Sequence, residues 1–191
     1  MQAELKRIIL EYEGNVIMVT HSRDEAYKIA DNLVILDRGR LAADGPAREV
    51  FRRPGNARAA RVTGCKNISA IGKRSGRRFF AKDWGLEFEA AEPVEDRHAY
   101  VGIRAHDFMP ARQERIQEGT VHASSVQPSS FTQNVFNIEI IDEIEGPFEK
   151  DYIVRPEGGA GRIWWIAGRD IDAGAVRALS VAPEAILLLE E

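Results

Sequence analysis

The sequence predicts a chain of two parts, an α/β part up to about residue 60 and an all-β part from there to residue 191. Three observations support this division. The stretch Gly14–Asp44 alternates short apolar runs, typical of buried strands, with one helical pattern. From Gly64 onward, short strand-like runs alternate with turn signals. No pattern of a long helix follows residue 60, so the second part is expected to form a small barrel or sandwich.

The composition is ordinary for a globular protein of one or two domains, with 44% hydrophobic and 29% charged residues. The formal net charge of −4 argues against nucleic acid or an anionic membrane surface as a partner. No apolar run approaches the ~18 residues that a transmembrane helix needs. Cys65 is the single cysteine, so no internal disulfide is possible, which fits a reducing cytosol.

The first part begins with a predicted helix, Gln2–Glu13, which Gly14 ends. The apolar, β-branched run Val16–Thr20 is too short for a helix and predicts a strand buried on both faces, as in a parallel sheet. His21 follows at the carboxyl end of this strand. Because open α/β sheets bind ligands at that edge, His21 is a candidate functional residue.

A second helix starts at Ser22, which has capping-box spacing with Glu25. The apolar run Leu33–Leu36 predicts the next strand, and the turn Asp37–Arg40 leads into a return strand toward Gly45. Together these elements predict a β-α-β unit with an attached hairpin. One such unit cannot cover both faces of a parallel sheet, so the chain is expected to be the carboxyl-terminal part of something longer.

The run from Val19 to Arg40 reads Val-Thr-His-Ser-x-x-Glu-Ala-x-x-Ile-Ala-Asp-x-Leu-Val-Ile-Leu-x-x-Gly-Arg. It resembles the last part of an ABC-transporter ATPase domain, whose P-loop fold this part would then continue. The resemblance implies that His21 is the switch histidine, which contacts the γ-phosphate of ATP. A lone histidine after a strand is more often structural, but the whole run favours the family. The passage Gly-Pro-x-x-x-Val-Phe-x-x-Pro at Gly45–Pro54 resembles the end of that domain, which places the boundary between residues 60 and 61.

The other catalytic motifs of this family are absent from the sequence. A P-loop needs Gly-x-x-x-x-Gly-Lys-Ser/Thr to hold phosphates, and Gly72–Gly76 has the wrong spacing. The Leu-Ser-Gly-Gly signature and the acidic metal-binding strand are missing too. The resemblance implies ATP and Mg²⁺ as cofactors of the intact parent. This chain alone is expected to bind neither tightly and to hydrolyse no ATP.

The second part, residues 61–191, contains many short strand-like segments separated by turns. The predicted strands are Asn67–Ile71, Arg78–Ala81, Leu86–Ala90, Ala99–Arg104, Gly119–Val126, Val135–Ile141, Tyr152–Arg155, Arg162–Ala167, Ala175–Ser180 and Ile186–Glu190. A weak internal repeat aligns Val101–Met109 with Leu179–Leu187, each a strand, a tight turn and an apolar exit.

Two such halves resemble the OB-like accessory barrel called TOBE, which follows the ATPase domain in several ABC importers. The Gly-Cys-Lys-Asn wording at Gly64–Asn67 is nearest to the molybdate and tungstate importers, with the sulfate group also similar. The Ser-Ala-Arg-Asn-Gln string of dedicated molybdate-binding barrels is not present. The candidate anion contacts of this part are Lys66, Asn67, Lys73, Arg74, Arg77 and Arg78, although a solvated turn also explains the last four.

Other patterns carry less weight. Trp164 and Trp165 are adjacent in a strand, so one is expected in the core and the other at the surface or an interface. His98, His106 and His122 lack the spacing of a zinc site, so no metal site is predicted.

Three functions stay open. The chain is the end of an importer's ATP-binding subunit, or an independent oxyanion-sensing module without a nucleotide role, or a dimerisation element. The resemblance implies two kinds of partner, a second ATP-binding subunit bound through the barrel and transmembrane permease subunits. It implies a cytoplasmic location, at the inner face of the plasma membrane through the permease. An oxyanion ligand is possible, and no nucleic-acid partner is expected.

Overall fold

The computed structural model describes residues 2–111, 134–146 and 149–191. The chain divides into two compact units, the first ending at Gly64 and the second beginning at Cys65. Each unit contains a hydrophobic core of its own. The two units are therefore described separately.

The first unit consists of short helices and one hairpin. Its described elements are α1 (Gln2–Glu11), α2 (Arg23–Ile29), β1 (Asn32–Asp37), β2 (Arg40–Pro46), α3 (Ala47–Arg52) and α4 (Ala57–Val62). The strands β1 and β2 pair antiparallel, with a register shift between Ile35 and Leu36. The small core forms where Ile35 of the hairpin meets Val50 of α3 and Ala59 of α4.

Side-chain caps fix where two of these helices begin. The Ser22 hydroxyl accepts a hydrogen bond from the Glu25 N–H at 3.3 Å, which confirms the predicted start of α2. The Glu25 carboxylate accepts a bond from the Thr20 hydroxyl at 2.8 Å. Helix α4 is not predicted from the sequence; the Asn56 side chain caps it by accepting from the Ala59 N–H at 2.9 Å.

The predicted buried strand Val16–Thr20 is wrong for this chain. The segment forms no strand, and the exposed fractions of Ile17 and Val19 are 93% and 96%. A strand needs a neighbour for its backbone hydrogen bonds, and none of the described residues supplies one. The predicted parallel β-α-β unit is also wrong within the described ranges, because β1 pairs only with β2, which runs antiparallel to it.

The second unit is built of strands, as predicted. Its described strands are β3 (Asn67–Ser75), β4 (Arg78–Ala81), β5 (Leu86–Glu89), β6 (Tyr100–Ile103), β7 (Phe108–Pro110), β8 (Val135–Glu145), β9 (Glu149–Pro156), β10 (Ile163–Gly168), β11 (Ala178–Val181) and β12 (Leu187–Leu189). The strand predicted at Ala175–Ser180 starts later, because Ala173–Ala175 forms a 3₁₀ turn. The separate strand β7 is not predicted, and the predicted strand Gly119–Val126 lies outside the described residues.

The strands form two five-stranded antiparallel sheets with matching orders, β5-β4-β3-β6-β12 and β10-β9-β8-β11-β7. Strands β3 to β7 form a first half, and β8 to β12 form a second half in the same order. Each half gives its last strand to the other sheet: β12 pairs with β6, and β7 pairs with β11. The unit therefore has the pseudo-twofold arrangement of a strand-exchanged duplication.

The repeat seen in the sequence is confirmed at the centre of this arrangement. Both copies form a strand, a 3₁₀ turn and a second strand. Their registers also correspond, since Leu187 lies opposite Gly102 in one sheet and Met109 lies opposite Ser180 in the other.

The core of the second unit lies between the two sheets and includes Trp165, which is fully buried. Its indole N–H donates to the Phe108 carbonyl oxygen at 3.1 Å, and its ring centroid lies 5.0 Å from that of Tyr152. The neighbouring Trp164 is only half-buried. The prediction that the two tryptophans face opposite sides of the strand is confirmed.

Candidate functional site

His21 lies on an exposed turn directly before α2. The turn is held by hydrogen bonds on both sides of the histidine: the Ser22 N–H donates to the Thr20 hydroxyl oxygen at 3.0 Å, and the Thr20 hydroxyl donates to the Glu25 carboxylate. The backbone around His21 is thus fixed while its imidazole faces solvent. The exposed His21 side chain is thus accessible to a ligand.

A cavity of about 290 Å³ opens elsewhere in the first unit. Its lining includes three cations, Lys6, Lys28 and Arg48, together with Tyr27. The Arg48 guanidinium already stacks on the Tyr27 ring, 4.1 Å from the ring centroid. His21 is not among the lining residues, so this cavity does not extend the candidate histidine site.

Asn67, one of the predicted anion contacts, is buried and uses its amide within the protein. Its Nδ2 donates to the carbonyl oxygens of Trp164 at 2.8 Å and Ile103 at 3.1 Å, and its Oδ1 accepts from the Trp164 N–H at 2.7 Å. Both polar atoms of the side chain are therefore engaged with the backbone. Asn67 joins β3 of the first half to β10 of the second half, as a pair of backbone hydrogen bonds between neighbouring strands would.

Asn134 makes the equivalent connection in the opposite direction. Its Nδ2 donates to the carbonyl oxygens of Glu89 at 3.0 Å and Val181 at 3.2 Å, and its Oδ1 accepts from the Glu89 N–H at 2.7 Å. Ile103 and Val181 occupy corresponding places in the repeat, so the pseudo-twofold relates the two asparagines. Sequence reasoning missed Asn134; the signal was a second asparagine directly before the strand that opens the second half.

Lys66 lies beside this junction and is partly exposed. Its Nζ is 2.9 Å from the Asp151 carboxylate and 4.4 Å from the centroid of the Trp164 ring. Trp164 and Asp151 are thus neighbours that the sequence did not assign to the site. Because 40% of the Lys66 side chain is exposed, its ammonium group is accessible to a ligand that could replace Asp151 as its partner.

The other four predicted anion contacts do not converge on one point. Arg77 and Arg78 both contact the Glu89 carboxylate, at 2.8 and 3.3 Å, whereas Arg74 contacts Asp96 at 2.7 Å. Lys73 is exposed, and no ion pair of Lys73 is recorded with the residues that the structure describes. The structure therefore places Lys66 and Asn67 together, whereas the arginines of the hairpin are divided between two acids, Glu89 and Asp96.

Two acidic groups near the junction have raised pKa values. Burial raises the pKa of the Cys65 thiol to about 11, and this thiol donates to the Asn67 carbonyl oxygen at 3.3 Å. Burial also raises the pKa of Asp107, whose carboxylate lies 3.5 Å from His106. A thiol that stays protonated at neutral pH is a poor nucleophile, so Cys65 fits a structural role.

Within the described ranges, no group of three or more His, Cys, Asp or Glu side chains is placed to hold a metal ion; His122 lies outside those ranges. No helix among the described residues is long and apolar enough to cross a membrane.

Comparison with known proteins finds relatives among the ATP-binding proteins of importers. The chain is 30% identical over 164 residues to the spermidine/putrescine import ATP-binding protein PotA of Roseobacter denitrificans, covering 83% of this chain and 41% of that protein. It is 37% identical over 107 residues to the molybdate/tungstate import ATP-binding protein WtpC of Thermococcus kodakarensis, covering 56% of this chain and 31% of that protein. The chain thus spans less than half the length of either relative.

Among solved structures, the cytoplasmic molybdate-binding protein ModG aligns with a TM-score of 0.44 and 12% identity, over 67% of this chain and 98% of ModG. No protein-family model matches the chain.

Proposed function

We propose, on the premise that this chain is similar to the carboxyl-terminal part of ABC-importer ATP-binding subunits, that it serves as that part of such a subunit. In the longer protein, ATP hydrolysis would drive import of an oxyanion such as molybdate, tungstate or sulfate. The observation that carries the assignment to an ATP-binding subunit is the 164-residue similarity to PotA, which is too long to fall within either unit alone. The subunit would lie in the cytoplasm, bound to permease subunits at the membrane, with ATP and Mg²⁺ as its cofactors.

The exposed apolar side chains of the first unit support its proposed place in a larger ATPase domain. Besides the segment Val16–Thr20, the hairpin exposes Val34, Leu36 and Leu41 at 61%, 66% and 61%. Apolar side chains clustered on a small unit favour burial against another surface, at about 1.5–3 kcal/mol for each large side chain fully buried. Further strands of an ATPase domain would supply that surface and would also pair the backbone of Val16–Thr20.

Within that domain, we assign His21 the role of contacting the γ-phosphate and stabilising charge in the transition state. A chimera that replaces the matching part of the Roseobacter relative with this chain would test the role. Loss of one preorganised donor lowers turnover by roughly 10²–10³. We expect His21→Ala to lower ATP turnover by that factor while ATP affinity changes much less.

His106→Ala, which removes an exposed histidine of the second unit, serves as the matched control and should leave turnover unchanged. This chain alone should show no ATP turnover. Unchanged turnover in the His21→Ala chimera would leave His21 as a structural residue.

The names of the two relatives refer to substrates of opposite charge, since polyamines are cations and molybdate and tungstate are anions. The partly exposed Lys66 favours an anion at the second unit, because a doubly charged oxyanion needs cationic or N–H donors. Calorimetry of the chain with molybdate, tungstate, sulfate and spermidine separates the two classes. Lys66→Met should abolish any anion heat, whereas Lys82→Met, which removes an exposed lysine of the second unit that is not a candidate anion contact, should not.

A dimerisation role is the second candidate function, with the second unit pairing with its copy on another subunit. The half-buried Trp164 favours it, because tryptophan is enriched at protein interfaces. Sedimentation of the chain without ligand tests this role. A dimer that gives no heat with any oxyanion would support dimerisation alone, and a monomer at all concentrations would rule it out.

A further inference from the structure

The cavity of the first unit has no part in the proposed importer function. Residues of α1, α2 and α3 line it, and its volume is about 290 Å³. Small-molecule sites in proteins occupy roughly 300–1,000 Å³, so this cavity lies at the small end of that range. Its size therefore suits a small organic molecule.

Arg48 is held in a fixed orientation at this cavity. Its guanidinium lies over the Tyr27 ring, 4.1 Å from the ring centroid. The Tyr27 ring in turn meets Phe51 edge-on, with the two centroids 5.1 Å apart. Stacking uses the face of the guanidinium and leaves the N–H groups around its edge free to donate. No hydrogen bond or ion pair of this guanidinium is recorded among the described residues, so its edge is preorganised to bind an anion through two parallel hydrogen bonds.

The other charges of the cavity add to this preference. Lys6 from α1 and Lys28 from α2 contribute two further cations, and Asp31 contributes one acid. Within the part of the chain that the structure describes, no ion pair is recorded for either lysine or for Asp31. Cations that share a cavity repel one another, so an anion bound among them is stabilised by all three. The lining has two more positive than negative charges, which matches a dianion.

We propose that this cavity binds a small phosphate monoester that carries hydroxyl groups, such as a sugar phosphate. A phosphate monoester has close to two negative charges at neutral pH, and its oxygens match the planar edge of a guanidinium. The Asp31 carboxylate accepts a hydrogen bond from a ligand hydroxyl and repels a second acidic group. Charge, volume and the mixed lining thus select the same class of ligand, independently of the importer function.

Calorimetry of the whole chain with glucose 6-phosphate tests the proposal at low ionic strength, where screening of exposed cations is weak. Glucose 6-phosphate should bind more tightly than inorganic phosphate, and glucose should give no heat. Arg48→Met removes the N–H edge and should weaken binding of glucose 6-phosphate at least about tenfold. Arg58→Met is the matched control, because it removes an exposed arginine of α4 that does not line the cavity, and it should change affinity less than about twofold.

Asp31→Ala separates recognition of the hydroxyl groups from recognition of the phosphate. It should weaken binding of glucose 6-phosphate, which loses an acceptor, but not of inorganic phosphate, from which it removes only repulsion. The variant should fold, since the Asp31 carbonyl oxygen still accepts from the Ala47 N–H at 2.9 Å.

Three results would overturn the proposal: no heat with glucose 6-phosphate, equal affinity for inorganic phosphate, or equal losses in Arg48→Met and Arg58→Met. Lys66→Met should leave the affinity for glucose 6-phosphate unchanged. Loss of the heat in that variant would place the anion at the second unit instead and would also overturn the proposal. None of these results bears on ATP turnover by the chimera, which tests the importer function separately.

Discussion

Replacement of Asn67 by alanine should destabilise the second unit more than a typical single substitution does. The side chain is 2% exposed and takes part in three hydrogen bonds to backbone groups of Trp164 and Ile103. At about 1 kcal/mol net for each bond, Asn67→Ala should lower the free energy of unfolding by ~3 kcal/mol. Its pseudo-twofold equivalent, Asn134→Ala, should cost a similar amount, because Asn134 also takes part in three such bonds.

Urea unfolding followed by tryptophan fluorescence measures this loss. All three tryptophans, Trp84, Trp164 and Trp165, lie in the second unit, so the signal reports that unit alone. Asn137→Ala is the control, since the exposed Asn137 side chain bonds to the exposed Glu157 carboxylate, and it should cost under about 0.5 kcal/mol. A loss below about 1 kcal/mol for both Asn67→Ala and Asn134→Ala would refute the view that these asparagines join the two halves.

Two further predictions concern the same junction. Burial raises the pKa of the Cys65 thiol from 9.0 to about 11, so the free energy of unfolding should fall as pH rises between those values. Cys65→Ala should remove this dependence of stability on pH. An equal dependence in the variant would contradict the burial argument. Gly102→Ala would place a methyl group 2.9 Å from the buried Leu189 side chain and 3.2 Å from the Cys65 sulfur. It should therefore lower the free energy of unfolding in urea by about 1–3 kcal/mol, whereas Ser180→Ala at the equivalent position should cost much less. Equal losses in the two variants would show that neighbouring side chains relieve the contact easily.

The sequence predicted the second unit better than the first. Short strands bounded by turn residues are local features that the sequence shows directly. The repeat between Val101–Met109 and Leu179–Leu187 also indicated which strands of the two halves correspond, without knowledge of how the strands pair. In the first unit, the apolar run Val16–Thr20 has the composition of a buried strand. Composition cannot supply the neighbours that a strand needs, so the run forms no strand with the residues that the structure describes.

At the candidate site, the sequence pointed to Lys66 and Asn67 but not to the residues around them. The segment Gly64–Asn67 was singled out because its sequence resembles that of the molybdate and tungstate importers, but its partners Asp151 and Trp164 come from distant strands that no local pattern connects to it. The use of the Asn67 amide by the backbone depends on a sheet edge that exists only after folding. The roles of His21 and Lys66 toward ligands stay predictions.

The exchange of β7 and β12 between the sheets also governs when this unit can form during synthesis. The first half receives its fifth strand from Leu187–Leu189, so its sheet stays incomplete until the ribosome has made nearly all of the second half. Neither half can close by itself, and a nascent first half exposes the edge of β6 while translation continues. Pairing across such a long separation in sequence is slow, so the unit should fold as one cooperative event once both halves have been made, because each half completes the sheet of the other.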